Sequence, residues 1–235
     1  MYLKLITAAL YCCTASVLTA QTGVGQKIGK WDSQIYISDV NGRPVSNRYS
    51  DVSGYPFVFE HFKAGNMELK NGRKFAEVPL KIDIVTHEIV FTSSNNEAGV
   101  ISSDFVQTVS VKDTAASVIH NHVYRTGFPS IDNYKSREFC EVLAEGKITL
   151  LKTMRKAVDT RKNDLSGEVY KEFVLYEDVY VYQNGEMKRL KKDKAFLLSL
   201  MQDQRAKMEE YLGRDKKNLK NLQTLAETFR YYNGL

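Results

Sequence analysis

The apolar residues of this chain fall into stretches of different period. Leu5 to Leu18 are apolar or small and carry no charge. Residues 21–54 are weakly patterned and hold one short alternation, Gln34-Ile35-Tyr36-Ile37. From Tyr55 the period is two. Met67 and Leu69 alternate with polar residues up to Asn71-Gly72, and Leu80, Ile82 and Ile84 alternate with Lys81 and Asp83. A turn at Thr86-His87 leads to Ile89 and Phe91 on a returning strand. Asn-Gly between alternating runs marks a tight hairpin, because both residues tolerate positive φ. Further strands are predicted at 105–111, 118–124, 137–144 and 147–154, with a turn at Glu145-Gly146. Residues 157–168 are polar and predict a mobile loop. Two more strands flank a second hairpin at Asn184-Gly185. After Leu190 the period lengthens to that of a helix: Phe196, Leu197, Leu200, Met201, Met208, Tyr211 and Leu212 form one stripe, which Gly213 ends. Leu219, Leu222, Leu225, Ala226 and Phe229 form a second stripe, stopped at Asn233-Gly234. The pattern predicts an α+β chain: an antiparallel β-meander or partly rolled sheet over 55–190, then a helical hairpin over 191–235 packed on or beside it.

The first twenty residues read as a secretory signal, with Lys4 ahead of an apolar run of fourteen. Such a run is too short to span a bilayer, which takes about 20 residues. Cleavage is expected after Ala20, which leaves a loosely ordered lead-in over 21–54 and no transmembrane span in the mature chain. The expected address is the periplasm or the periphery of the outer membrane. Cys12 and Cys13 raise lipidation at the signal, but Tyr11 is too bulky for the position before a lipidated Cys12, and apolar filler is the favoured reading. Cys140 is then the one cysteine left. It lies in a strand-like run with no activating partner nearby, so a buried thiol is expected rather than a nucleophile.

Composition is that of an ordinary globular protein, with 43% hydrophobic and 26% charged residues, and excludes wholesale disorder. The formal net charge of +5 is unevenly placed. Residues 186–235 hold twelve Lys and Arg against seven Asp and Glu, whereas 21–185 are close to neutral. The densest run is Lys188, Arg189, Lys191, Lys192 and Lys194. On an exported protein such a patch faces anionic lipid or polysaccharide rather than nucleic acid, and no groove-reading motif accompanies it. A solvated hairpin end is the favoured reading, since patches this small are common on soluble surfaces.

The histidines, His61, His87, His120 and His122, all lie in the predicted sheet. Residues two apart on a strand share a face, so His120 and His122 are placed to hold one metal ion, zinc being the first candidate. A third ligand is sought in His61, His87 or Asp104. The plain alternative is a wet face carrying two polar side chains. Tyr170, Tyr176, Tyr180 and Tyr182 suggest a carbohydrate platform, or simply a half-exposed sheet that tyrosine suits. Glu138 and Glu141 are an odd interval apart and face opposite sides, so they form no dyad within one strand. No nucleophile elbow, P-loop or paired-cysteine zinc site is present, and Gly23-Val24-Gly25 lacks the strand and third glycine of a dinucleotide fingerprint.

Three runs carry a resemblance: Gly65-Asn66-Met67-Glu68-Leu69-Lys70-Asn71-Gly72 followed by Val78-Pro79-Leu80-Lys81-Ile82-Asp83, the run from Cys140 to Lys147, and the ending Tyr231-Tyr232-Asn233-Gly234-Leu235. In layout the chain resembles a group of exported bacterial envelope proteins of unknown function. That resemblance implies export and a single architectural unit, and implies no catalytic residue. The expectation is a non-enzymatic envelope protein acting through an envelope protein or an anionic surface. A metal-binding protein or metal-dependent enzyme at His120 and His122 is the alternative, and a sugar-binding module a weaker one.

Overall fold

The computed structural model describes residues 49, 51–92, 98–115, 118–214 and 217–235. The expected signal, the lipidation cysteines and nearly all of the lead-in, including Gln34 to Ile37, lie outside the described residues. Strands β1 (Val52–Ser53), β2 (Lys63–Leu69), β3 (Lys74–Asp83), β4 (Glu88–Thr92), β5 (Ala98–Ser102) and β6 (Val106–Ala115) are followed by β7 (Val118–Arg125) and β8 (Cys140–Ala144). Then come β9 (Thr149–Lys162), β10 (Val169–Gln183), β11 (Glu186–Arg189) and helices α1 (Lys194–Leu200), α2 (Arg205–Gly213) and α3 (Leu222–Asn233). The α+β reading holds: the strands form one eleven-stranded sheet in the order β1-β10-β9-β8-β7-β6-β2-β3-β4-β5, with β11 on the outer side of β10.

Turn chemistry closes the hairpins where the sequence marks them. Asn184 and Gly185 both sit at positive φ, 54° and 82°, as a two-residue hairpin with the right twist requires. The sheet is not purely antiparallel: β1 pairs with β10 in parallel, Val52 opposite Lys171. The sheet also rolls. The β3–β4 tip reaches β9, where the Lys156 N–H donates to the Ile84 carbonyl at 3.0 Å, and Phe57 bridges Asp83.

Register places three apolar clusters. On one face, Leu80, Ile82, Ile89, Val109, Val111 and Tyr124 fill the rolled end. At the other end of the same face, Leu150 and Val181 lie under Leu197, Met201, Met208, Leu225 and Phe229 from the helices. The opposite face carries Cys140, Leu151 and Tyr180, covered by Tyr134 from the β7–β8 connection.

The tail is therefore docked on the sheet. Its last helix is fixed by an amide that imitates a neighbouring strand. Asn233 Oδ1 accepts from the Ile148 N–H at 3.0 Å, and its Nδ2 donates to the Ile148 carbonyl at 2.8 Å. Gly146 makes room for it: a Cβ there would stand 2.5 Å from Asn233 Cγ. Arg230 adds a bond to the Leu143 carbonyl, and the Tyr232 hydroxyl donates to Asp203.

Two expectations need correction. The first half of residues 157–168 is strand, and the loop shrinks to 163–168 because β9 and β10 stay paired out to Lys162 and Val169. Polar composition hid the hairpin, since an exposed ladder needs no apolar alternation. The first helical stripe is two helices, α1 and α2, joined by a 3-10 turn at Gln202–Gln204. The stripe lapses at 202–207, where nothing apolar larger than Ala206 is available to bury, and the chain turns there.

Candidate functional site

Between the two clusters on the shared face runs a stripe of ionisable side chains. Its positions follow from register alone. His122 lies opposite Val111, Tyr124 opposite Glu141, and Glu141 opposite Lys152. His122 on β7, Glu141 on β8, Lys152 on β9 and Glu177 on β10 thus fall on one face in neighbouring strands. His122 Nδ1 is 2.6 Å from Glu141 Oε1. Lys152 Nζ is 2.7 Å from Glu141 Oε2 and 3.5 Å from Glu177 Oε1. A second row lies beside it: His120 is opposite Asp113, which accepts from Lys63 Nζ at 2.7 Å.

Glu141 is the centre of the cluster, with its side chain 7% exposed. Burial pushes its carboxyl up, but the His122 hydrogen bond and the Lys152 ammonium outweigh this and hold it below the ordinary value. An ionised carboxylate only accepts, so the proton between them sits on His122 Nδ1. In the neutral imidazole Nε2 is then the lone-pair nitrogen, and it makes no hydrogen bond among the described residues. Phe59 packs its ring edgewise on His122 at 5.7 Å between centroids. The imidazole is therefore fixed from two sides. The sequence offers Glu141 no dyad within its own strand. Its partners come from neighbouring strands, and only the register reveals them.

The remaining candidates disperse. His120 is exposed, and its ring centre is 6.4 Å from that of His122. His61 and Asp104 are exposed. His87 is buried at the β3–β4 tip, with Nε2 3.7 Å from Glu138 Oε2. Burial first, and then Arg137, lower its pKa to about 4, so it is neutral. Among the described residues no group of three or more His, Cys, Asp or Glu side chains gathers as a metal site. The buried Cys140 thiol is pushed up to about 12 by desolvation, which keeps it protonated.

The basic run is partly spent within the molecule. Arg189 bonds Asp132 at 3.0 Å and Asp178 at 2.7 Å, and Lys188 lies 3.1 Å from Glu186. Lys191, Lys192 and Lys194 are exposed. The four tyrosines share one face of β10 but form no platform: Tyr180 is buried, Tyr182 packs on Phe128, and Arg155 lies 4.1 Å over the Tyr176 ring.

Among the described residues, exposed apolar side chains gather on the outer half of the β9–β10 hairpin. Val158, Val169, Tyr170, Leu175 and Tyr176 are exposed there, and Leu165 at the tip is 99% exposed. The pairing of β9 with β8 ends at Thr153, so this half is held by the β9–β10 ladder, by the bonds of Lys156 to Ile84, Tyr55 and Phe57 at its base, by the short β1 and by a ring contact between Tyr49 and Phe173. No family model, curated protein or solved structure matches the chain.

Proposed function

We propose that this is a non-enzymatic, exported cell-envelope protein, at the periplasm or the periphery of the outer membrane, that acts by binding an envelope protein through the outer half of the β9–β10 hairpin. The hairpin's exposed apolar side chains support the reading most. A soluble surface tolerates scattered apolar residues, but a cluster of Leu, Val and Tyr on one two-stranded arm is characteristic of a contact surface. Among the described residues no strand pairs with the outer edge of β10 around Val174 to Glu177, where backbone donors and acceptors can serve a partner strand. The export part of the reading rests on the sequence of residues 1–20. No helix among the described residues is long and apolar enough to cross a membrane.

A photo-reactive residue at Leu165 or Leu175, in cells of the source organism, is expected to give a discrete crosslinked protein band in the envelope fraction. The same probe at Lys191 tests the anionic-surface alternative. Adducts only from Lys191, or none from the hairpin, overturn the reading.

A further inference from the structure

We infer that His120 and His122 form a two-imidazole chelate, open to solvent, for a borderline divalent cation, with copper(II) preferred over zinc. The inference is independent of the hairpin reading and uses the polar stripe instead. It starts from His122, whose Nδ1 proton is held by Glu141 at 2.6 Å and whose ring is braced by Phe59. A carboxylate on the far nitrogen fixes the tautomer of a metal-binding histidine and raises its basicity. The His122 ring is therefore held with Nδ1 toward Glu141, so that Nε2 of the neutral imidazole has its orientation set before any ion arrives.

His120 supplies the second nitrogen. It shares the strand face of His122 two residues away, is exposed, and has its ring tilted 39° to its neighbour. An ion sits about 2 Å from each imidazole nitrogen, so two rings sharing one ion have centres on the order of 5–6 Å apart. The 6.4 Å separation is slightly longer, so the exposed His120 ring turns toward His122 on binding. No third protein ligand gathers among the described residues, so water completes the shell. The described residues thus do not supply the four protein ligands of a closed tetrahedral zinc site here. Two nitrogens with open positions suit copper(II), which tops the divalent affinity series and accepts tetragonal nitrogen and oxygen ligation.

The test is calorimetric titration of the purified full chain with copper(II) alone and zinc(II) alone, with the copper form read by electron paramagnetic resonance. One copper per chain is expected, bound at least tenfold more tightly than zinc, with a spectrum showing two coupled nitrogens. His122→Ala abolishes that site and His120→Ala weakens it at least tenfold, while circular dichroism shows both variants folded. Glu141→Gln acts as a positioning change: affinity falls about tenfold, in the range for outer-shell substitutions, and the copper hyperfine coupling shifts while stoichiometry stays at one. Two outcomes overturn the inference. One is no saturable binding of either ion. The other is a one-to-one isotherm that persists unchanged in folded His122→Ala, which places the ion elsewhere.

Discussion

At the scale of single residues, the polar stripe and the β3–β4 tip show how burial decides what a charge does. Glu141 is buried and ionised because Lys152 and His122 face it from two other strands. Lys152→Met removes one of those partners and strands a buried carboxylate. The expected loss is about 2–3 kcal/mol at pH 7, toward the lower end for a broken buried pair because His122 remains. The sign with pH follows from the lowered pKa of Glu141. Its stabilising contribution is present above the ordinary carboxyl value and is lost as pH falls through its lower folded value. Urea titrations of wild type and variant should therefore converge in acid, and a gap that persists there rejects the pairing. His87 loses stability in the same direction for a different reason: burial disfavours its charged form. It is folded in the neutral form with a pKa near 4 against an ordinary 6.5. Stability is whole above pH 6.5 and falls toward pH 4, by up to about 3 kcal/mol at 1.36 kcal/mol per unit. Glu138, whose carboxyl burial pushes up, takes a proton in the same region and offsets part of this, while Arg137 adds to the cost of charging His87. His87→Asn keeps the positive φ of 58° that Asn tolerates and removes the titration, so its urea midpoint should vary less between pH 6.5 and 4 than that of wild type.

At the scale of elements, the tail is held to the sheet at one well-defined point. Asn233 serves both backbone groups of Ile148, and Gly146 lets the amide approach. Asn233→Ala leaves those two groups without their partner, an expected loss of about 1–3 kcal/mol. Gly146→Ala should be damaging in the wild-type background, because the methyl meets Asn233 Cγ at 2.5 Å. In the Asn233→Ala background the contacts with Cγ and Nδ2 are gone and the one with Cβ at 2.6 Å remains, so the clash is partly relieved, the two losses should fall short of additive, and thermal unfolding of the four proteins of the cycle measures the shortfall. Additive losses reject the contact. Much of this scale was legible beforehand. The turns at Asn71-Gly72, Glu145-Gly146 and Asn184-Gly185, the alternation of β2 to β4, the burial of Cys140 and the 3.6-residue stripe of α3 all follow from local chemistry. What escaped was set by partners far away in sequence. The parallel β1 rests on two residue pairs, the outer β9–β10 ladder carries no apolar alternation, and the meeting of His122, Glu141 and Lys152 depends on register across three strands. Asn233 reads as a helix stop in sequence, and its second task appears only once Ile148 lies beneath it.

At the scale of the whole molecule, the two ends of the long β9–β10 hairpin have different physical roles. Its inner half lies in the sheet, under the helices on one face and the β7–β8 connection on the other. Removing residues 191–235 would expose Leu150, Val181 and Ile148, and no other described element covers them. That truncation is expected to aggregate or to unfold at lower urea than the full chain. The outer half behaves differently, because Val158, Leu165, Val169 and Tyr170 are already exposed. Excising residues 161–170 and joining Thr160 to Lys171 through Asn-Gly keeps the β1 pairing at Lys171 and the Asp51–Lys171 ion pair. Surface changes of this kind move stability by about 0.5 kcal/mol or less per site, so the shortened protein should unfold cooperatively with its urea midpoint close to that of wild type. The envelope contact proposed for the hairpin should disappear from the same protein. A shortened chain that folds and still crosslinks at Leu175 moves the contact away from the tip. One that fails to fold shows instead that the outer ladder supports the sheet, and that its exposed residues are held there by folding and not by a partner.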